Sequence, residues 1–307
     1  MPTVLITTDY LAPGDEVDAY LTGLGWTIRH DPMRGPRSPE QLVAALDGVE
    51  GALVANEPMS EEVLRRAPAL RAVVRTGTGY DSIDVAAAAR LGISVSNLPG
   101  INANAVAEYT IGLLLAQARR LVPMAAGVAA GGWPRQDGFE LRGKTLGLIG
   151  RGAVAQRVAP LAAAFGMTVL STGQVPLDRL LRDSDFVSVH TALTPETRHL
   201  IDAAALATMK PSAHLINTAR GPIVDETALA EAVRAGRLAG AALDVLETEP
   251  LPADSILRGI EGITVYSHMA GQTAEARRAA GLEGAKELVA ALDGRPAYAV
   301  TKPGERA

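Results

Sequence analysis

The feature that most restricts the fold is an alternation: short runs rich in Val, Ile and Ala are separated by Ala- and Leu-rich stretches of helical period. Such alternation builds parallel sheets, because parallel neighbours need a crossover long enough to hold a helix. The first series of predicted strands is 4–8, 26–30, 52–55, 72–76 and 94–97. A second series covers 145–149, 168–171, 186–190, 214–218, 241–245 and 263–267, six strands that fit one doubly wound sheet. Between them a long helix is predicted over 102–122, followed by a loop with Gly131, Gly132, Trp133, Pro134 and Gly138, the expected domain crossing. Some helix starts are legible. Ser38, Pro39 and Gln41 form a capping box with proline in the first turn, and Ser60 precedes Glu61 and Glu62. Asp81 and Asp84 read as turn and capping residues before a helix over 84–91, in preference to a pair of catalytic carboxylates.

Composition narrows the function. A length of 307 residues suggests two domains. The 29 Lys and Arg against 34 Asp and Glu are interspersed, with no basic block to follow a phosphate backbone, so no nucleic-acid partner is expected. The lack of cysteine excludes disulfides, a thiolate nucleophile and thiolate-bound zinc, and it fits a reducing compartment. The N-terminus has no basic leader, and Asp9 interrupts its apolar run, so it reads as a strand. The longest uncharged helical stretch, 109–118, falls short of the ~20 residues a membrane span needs. The expectation is a cytoplasmic chain with no membrane partner. Neither metal-ligand spacing nor a G-x-S-x-G elbow is present.

The sharpest local motif lies between a strand and a helix: Gly147-Leu-Ile-Gly150-Arg151-Gly152-Ala153-Val154-Ala155, with the core G-x-G-x-x-A. Such a turn lets a pyrophosphate approach backbone N–H groups at a helix N-terminus. The acid expected about 20 residues on is missing; the next strand ends Ser171-Thr172-Gly173-Gln174. Ligands of open α/β sheets lie at the carboxyl ends of strands. There the second series places Arg220, Glu249 and His268. Arginine can grip a carboxylate with two hydrogen bonds, histidine transfers protons near neutrality, and a neighbouring glutamate favours imidazolium. Singly, each has an ordinary structural reading. His190 also ends a strand, where cofactor-side packing competes with chemistry, and His30, His199 and His214 read as structural.

Eight separated stretches then carry a resemblance over nearly the whole chain: RTGTGYDSID (75–84), LGISVSNLPG (91–100), VAE (106–108), ELRGKTLGLIGRG (140–152), HTALTPETRHLI (190–201), MKPSAHLINTARGPIVDE (209–226), AGAALDVLETEP (239–250) and SHMAG (267–271). The chain resembles the D-isomer-specific 2-hydroxyacid dehydrogenase family, in its D-3-phosphoglycerate dehydrogenase-like branch. The resemblance implies two Rossmann/flavodoxin-like doubly wound parallel-sheet domains with the active site in the cleft between them. It assigns 1–98 plus 285–307 to a substrate-binding domain and 99–284 to a dinucleotide-binding domain, without a regulatory C-terminal domain. It implies a homodimer that buries the helix near 103–120. Arg220 matches the arginine that binds the substrate carboxylate, Glu249 the acid paired with the catalytic histidine, and His268 that histidine. Arg75, Thr78 and Gly79 match substrate-binding positions on the other domain. Gly150, Arg151, Gly152, Ala153, Val154, His190, Thr218, Ala219, Asp244, His268 and Gly271 match positions lining the cofactor, with Thr218 and Asp244 near the nicotinamide carboxamide.

The departures fall on one half of that cofactor site. Gly173 stands where the family's ribose-binding acid is usual, Ala192 replaces a proline, Ala155 replaces the third glycine, and the segment after Gly173 is short. The expected function is an NAD- or NADP-dependent oxidoreductase acting on a small anionic 2-oxo or D-2-hydroxy acid, with or without a phosphate group. The alternatives are a dehydrogenase for a phosphonate or phosphite-like anion, and a non-catalytic dinucleotide-sensing or partner-binding member of the family.

Overall fold

The computed structural model describes residues 1–32, 35 and 37–301, and the chain falls into two compact units, 1–102 with 273–307 and 103–272. Of the predicted substrate domain, 33, 34, 36 and 302–307 lie outside the described residues.

In the first unit, β1 (Thr3–Ile6), β2 (Thr27–His30), β3 (Gly51–Val54), β4 (Ala72–Arg75) and β5 (Ser94–Ser96) form a parallel sheet of order β2-β1-β3-β4-β5, the flavodoxin-like arrangement. The helices between them are α1 (Glu16–Gly23), α2 (Pro39–Ala45), α3 (Glu61–Arg65) and α4 (Val85–Arg90). Their starts follow the expected chemistry. Ser38 and Gln41 make both hydrogen bonds of the capping box, Ser60 accepts the Val63 N–H, and Asp84 accepts the Ala87 N–H at 2.8 Å. Asp15, which the sequence reading passed over, caps α1 through the Val17 and Asp18 N–H groups.

The second unit begins with α5 (Ala103–Ala118) and α6 (Leu121–Ala129). Its strands are β6 (Thr145–Ile149), β7 (Thr168–Ser171), β8 (Phe186–Val189), β9 (His214–Asn217), β10 (Gly240–Leu243) and β11 (Ile263–Val265). They are joined through α7 (Ala153–Ala164), α8 (Leu177–Asp183), α9 (Ala203–Thr208) and α10 (Glu226–Arg234). All pairings are parallel, in the order β7-β6-β8-β9-β10-β11. The familiar dinucleotide-binding order is 3-2-1-4-5-6. Here β7 is the edge, because the chain turns from β7 straight into α8 with no further strand outside it. The central strands β8, β9 and β10 are buried at every residue, as expected of strands covered on both faces.

Each predicted run forms a strand, several ending one or two residues early, so that His190 and Thr218 lie just past the sheet edge. Three expectations need correction. The return to the first unit comes at 272, not 284, because α11 (Ala274–Leu292) is one unbroken helix. Its Ala285, Leu288, Ala291 and Leu292 share a core with Val4, Ile6, Leu53 and Val74. The outward crossing comes at 102 where 98 was expected. The long helix over 102–122 is two helices bent by 66° where Arg120 takes a left-handed backbone. The inner face of α5 is consumed by its own unit, whereas α6 has no buried residue and leaves Leu121, Val122 and Val128 exposed, with Trp133 beyond it 80% exposed. Among the described residues no single helix is long and apolar enough to cross a membrane.

Candidate active site

The order of the second sheet reverses between β6 and β8, the place where open α/β sheets leave a crevice. Gly150 stands at that point with φ 116°, and a Cβ on it would overlap the His190 carbonyl. Glycine is therefore required both by conformation and by close approach. Gly152 is the N-cap of α7 and offers no side-chain cap to the first-turn amides that Ala153 and Val154 introduce. These open N–H groups fit a pyrophosphate. Beside them the Gly150 N–H donates to Thr172 Oγ1 at 3.0 Å, a contact the sequence did not suggest. The adenosine side fits less well. Residue 173 presents no carboxylate, and the Arg151 side chain runs alongside it, with Cδ 3.4 Å from where a Cβ would stand.

His190 hydrogen-bonds through Nε2 to Ser188 Oγ at 2.9 Å, and burial pushes its pKa down to about 4. It is neutral near pH 7, so packing on the cofactor side fits it better than proton donation. His214 is likewise held to about 4, by burial first and by the Arg120 charge second, and it stacks on Phe186 at 5.3 Å. His30 pairs with Asp18 at 2.8 Å, in a structural role.

The carboxyl ends of β9, β10 and β11 gather the reactive groups. Past β9, Asn217 staples the turn: its Nδ2 donates to the Arg220 carbonyl at 2.9 Å and its Oδ1 accepts the Ala219 N–H at 3.0 Å. Thr218 sets its hydroxyl 3.3 Å from that of Thr110 on α5. Arg220 donates through Nη1 to the Ala219 carbonyl at 2.8 Å. Past β10, Asp244 is 1% exposed, and its two carboxylate oxygens accept the Met269 and Ala270 N–H groups at 2.8 Å each. Its carbonyl accepts the His268 N–H at 2.8 Å. Asp244 thus builds the His268–Gly271 turn from below. A carboxylate has about four acceptor positions, so these bonds leave room for a further donor such as an amide. Tyr109 of α5 also hydrogen-bonds to Asp244, and burial followed by that negative charge pushes its phenol up to about 12.

His268 meets Glu249 on this rim, with Nδ1 and Oε2 2.8 Å apart and both side chains partly exposed. Burial alone would raise the Glu249 carboxyl. The His268 hydrogen bond and charge, the Leu246 N–H and the Arg220 charge outweigh it and hold Glu249 below the usual carboxylate range. An ionised Glu249 fixes the Nδ1–H tautomer and leaves Nε2 to face a reactant.

Arg75, the last residue of β4, and Thr78 and Gly79 just beyond it belong to the first unit. Arg75 Nη2 donates to Asn56 Oδ1 at 2.6 Å. The 77–79 loop is fixed by Thr78 Oγ1 to the Leu98 carbonyl, the Gly100 N–H to Thr78 Oγ1, and Asn97 Nδ2 to the Thr78 carbonyl. Asn217, Thr110, Tyr109 and Asn97 were all missed from sequence. The partners of Thr110 and Asn97 lie far along the chain, whereas Asn217 bonds within its own turn, and only hydrophobic-to-polar transitions at the strand ends hinted at them.

Residues 111–270 match the D-isomer specific 2-hydroxyacid dehydrogenase family in its NAD binding domain. The chain is 37% identical over 289 residues to a glyoxylate reductase of Thermofilum pendens, covering 87% of this chain and 85% of that one. It is 44% identical over 253 residues to an (S)-sulfolactate dehydrogenase of Chromohalobacter salexigens, covering 76% and 82%. A solved D-lactate dehydrogenase from Aquifex aeolicus, complexed with NAD and lactic acid, superimposes with a TM-score of 0.84 at 28% identity, covering 98% of this chain and 100% of that chain. With the histidine, glutamate and arginine of the rim in place, the chain belongs to the D-isomer-specific 2-hydroxyacid dehydrogenase family.

Proposed function

We propose that this NAD(P)-dependent oxidoreductase reduces a small 2-oxo acid to its D-2-hydroxy acid through His268, Glu249 and Arg220. The observation that carries the reading is the 2.8 Å contact between His268 Nδ1 and Glu249 Oε2 on the rim that also holds Arg220. The cofactor, when bound, supplies the hydride. Arg220 holds the substrate carboxylate and offsets negative charge growing on the carbonyl oxygen. The imidazolium of His268 gives that oxygen its proton from Nε2, and Glu249 stabilises the ring while it is charged. We assign Gly150 to Val154 to the pyrophosphate, and His190, Thr218, Ala219, Asp244 and Gly271 to the rest of the cofactor. Arg75, Thr78 and Gly79 are assigned to the substrate's carboxylate. A cytoplasmic site of action is supported by reliance on a diffusible nicotinamide cofactor and by the cysteine-free composition.

The test is oxidation of NADH and NADPH with glyoxylate, pyruvate, hydroxypyruvate, phosphohydroxypyruvate and phosphonopyruvate. With the best substrate, His268→Ala and Arg220→Ala each lower turnover by about 10²- to 10⁴-fold, and Thr78→Ala raises KM. Wild-type turnover by His268→Ala overturns the assignment. The eroded adenosine side favours one second reading, a dinucleotide sensor; binding of neither reduced cofactor by the wild type would put it first.

A further inference from the structure

The turn that carries Glu249 is held by residues that the reaction does not use. Gly221, directly after Arg220, lies so close to the Leu246–Glu247 peptide that a Cβ on it would overlap that peptide. From the start of α10, the Glu226 carboxylate accepts the Glu247 N–H at 2.6 Å, while the Glu226 N–H donates to the Glu247 carboxylate at 3.1 Å. The same Glu247 oxygen stands 3.3 Å from His199 Nε2. Asp225 caps α10 by accepting the Ala228 N–H at 2.9 Å, and Glu247 satisfies the first-turn Glu226 N–H; helix capping does not account for the return bond from the Glu247 N–H to the Glu226 carboxylate. The charges of Glu226, Glu247 and Glu249 thus act on one another, and Glu249 alone of the three contacts His268. Like charges so placed repel, and the reciprocal bonds hold two of them together.

We propose that Glu226 and Glu247 form a clasp that positions Glu249 against His268, and that the Glu226 carboxylate adds to the negative charge facing that imidazole. Glu226 is then a positioning residue for proton transfer. The charged groups around it are Glu247 and Glu249 on the facing turn, His199 on the far side of Glu247, Asp225 beside it on α10, and Arg220 and His268 against Glu249. Burial raises the Glu226 carboxyl above the ordinary range. The Glu247 N–H opposes that shift, and the charges of Glu247 and Glu249 add to it. As pH falls, Glu226 therefore takes a proton before Glu249, which is held low. Glu226 loses its charge while Glu249 keeps its own.

The proposal rests on the oxidoreductase reading only for its kinetic consequence, so the experiment has two arms. In the first, histidine-labelled protein is titrated by NMR, with the His268 signal assigned by its loss in His268→Ala. In Glu226→Gln, which keeps an acceptor for the Glu247 N–H but no charge, the His268 midpoint moves to lower pH by roughly half a unit, the effect of one charge screened by water-like surroundings. A midpoint that coincides with wild type overturns the proposal, whatever the enzyme turns over. In the second arm, Glu226→Ala, which removes the acceptor, lowers kcat about tenfold, as loss of a hydrogen bond to a charged group does, with KM little changed. Glu226→Gln restores most of that kcat at low pH, and its alkaline limb is displaced in the same direction as the NMR midpoint. Wild-type kcat in Glu226→Ala, or a fall that Glu226→Gln does not rescue, also overturns it.

Discussion

His268 keeps a left-handed backbone at φ 59°, a conformation that costs a residue with a side chain about 1–2 kcal/mol. Three hydrogen bonds from 268–270 onto Asp244 over-determine it, two to the carboxylate and one to the carbonyl. The cost fixes the direction in which the imidazole leaves the chain, toward Glu249. In reduction the histidine must carry the proton it delivers, so only the imidazolium form is active. Glu249→Gln removes the counter-charge that favours imidazolium. The expected result is an alkaline limb of kcat displaced to lower pH, with a milder loss at the optimum than His268→Ala. A profile unchanged by Glu249→Gln would remove Glu249 from proton transfer. His190→Asn should leave that limb in place, because burial keeps His190 neutral down to about pH 4.

At the scale of elements, the informative departure is the outer edge of the second sheet. With β7 as the edge strand and Gly173 after it, the adenosine end of the cofactor meets neither an acid nor a flanking strand. Direct titration of the wild type should give NADH and NADPH affinities within about tenfold of each other. Gly173→Asp should then favour NADH, since each charge-assisted hydrogen bond to the ribose is worth roughly 1.5–3 kcal/mol. The side chain has room, because a Cβ at 173 meets Arg151 at ordinary contact distance. Tight, NADH-selective binding by the wild type that the added acid does not change would refute this account. The strands were legible because their apolar runs are short and bounded by turn residues, and Arg220, Glu249 and His268 because topology puts strand ends on one rim. The break at Arg120 was not, since Ala- and Leu-rich sequence continues through it and the left-handed residue is not glycine. The bounds of α11, 274–292, were legible, and only the domain boundary drawn inside it at 284 was misplaced, because its buried face is mostly Ala and Gly and does not announce which unit it packs on. The clamp on Asp244 was invisible because its partners lie 25 and 26 residues away and are backbone amides.

For the whole molecule, a homodimer is predicted, with the exposed apolar residues of α6 and Trp133 as part of its contact. Leu121, Val122, Val128 and Trp133 leave more apolar surface open on one segment than isolated exposed residues would. Sedimentation should show a dimer at micromolar concentration and a monomer for a Val128→Glu, Trp133→Glu double variant. A wild-type monomer would count against the assembly. The division of the chain has its own consequence during synthesis. The second unit is one continuous stretch, 103–272, whereas the first is completed only by α11. Between emergence of β5 and of α11 lie the 170 residues of the second unit, about 10–30 s of translation at ~5–20 residues per second. Throughout that interval Val4, Ile6, Leu53 and Val74 share their core with Val17 and Leu21 of α1 but lack Ala285, Leu288, Ala291 and Leu292 of α11, so part of that face stays open. The part of the protein made first is therefore the last to close, and its uncovered sheet face is the surface a chaperone would meet on the ribosome.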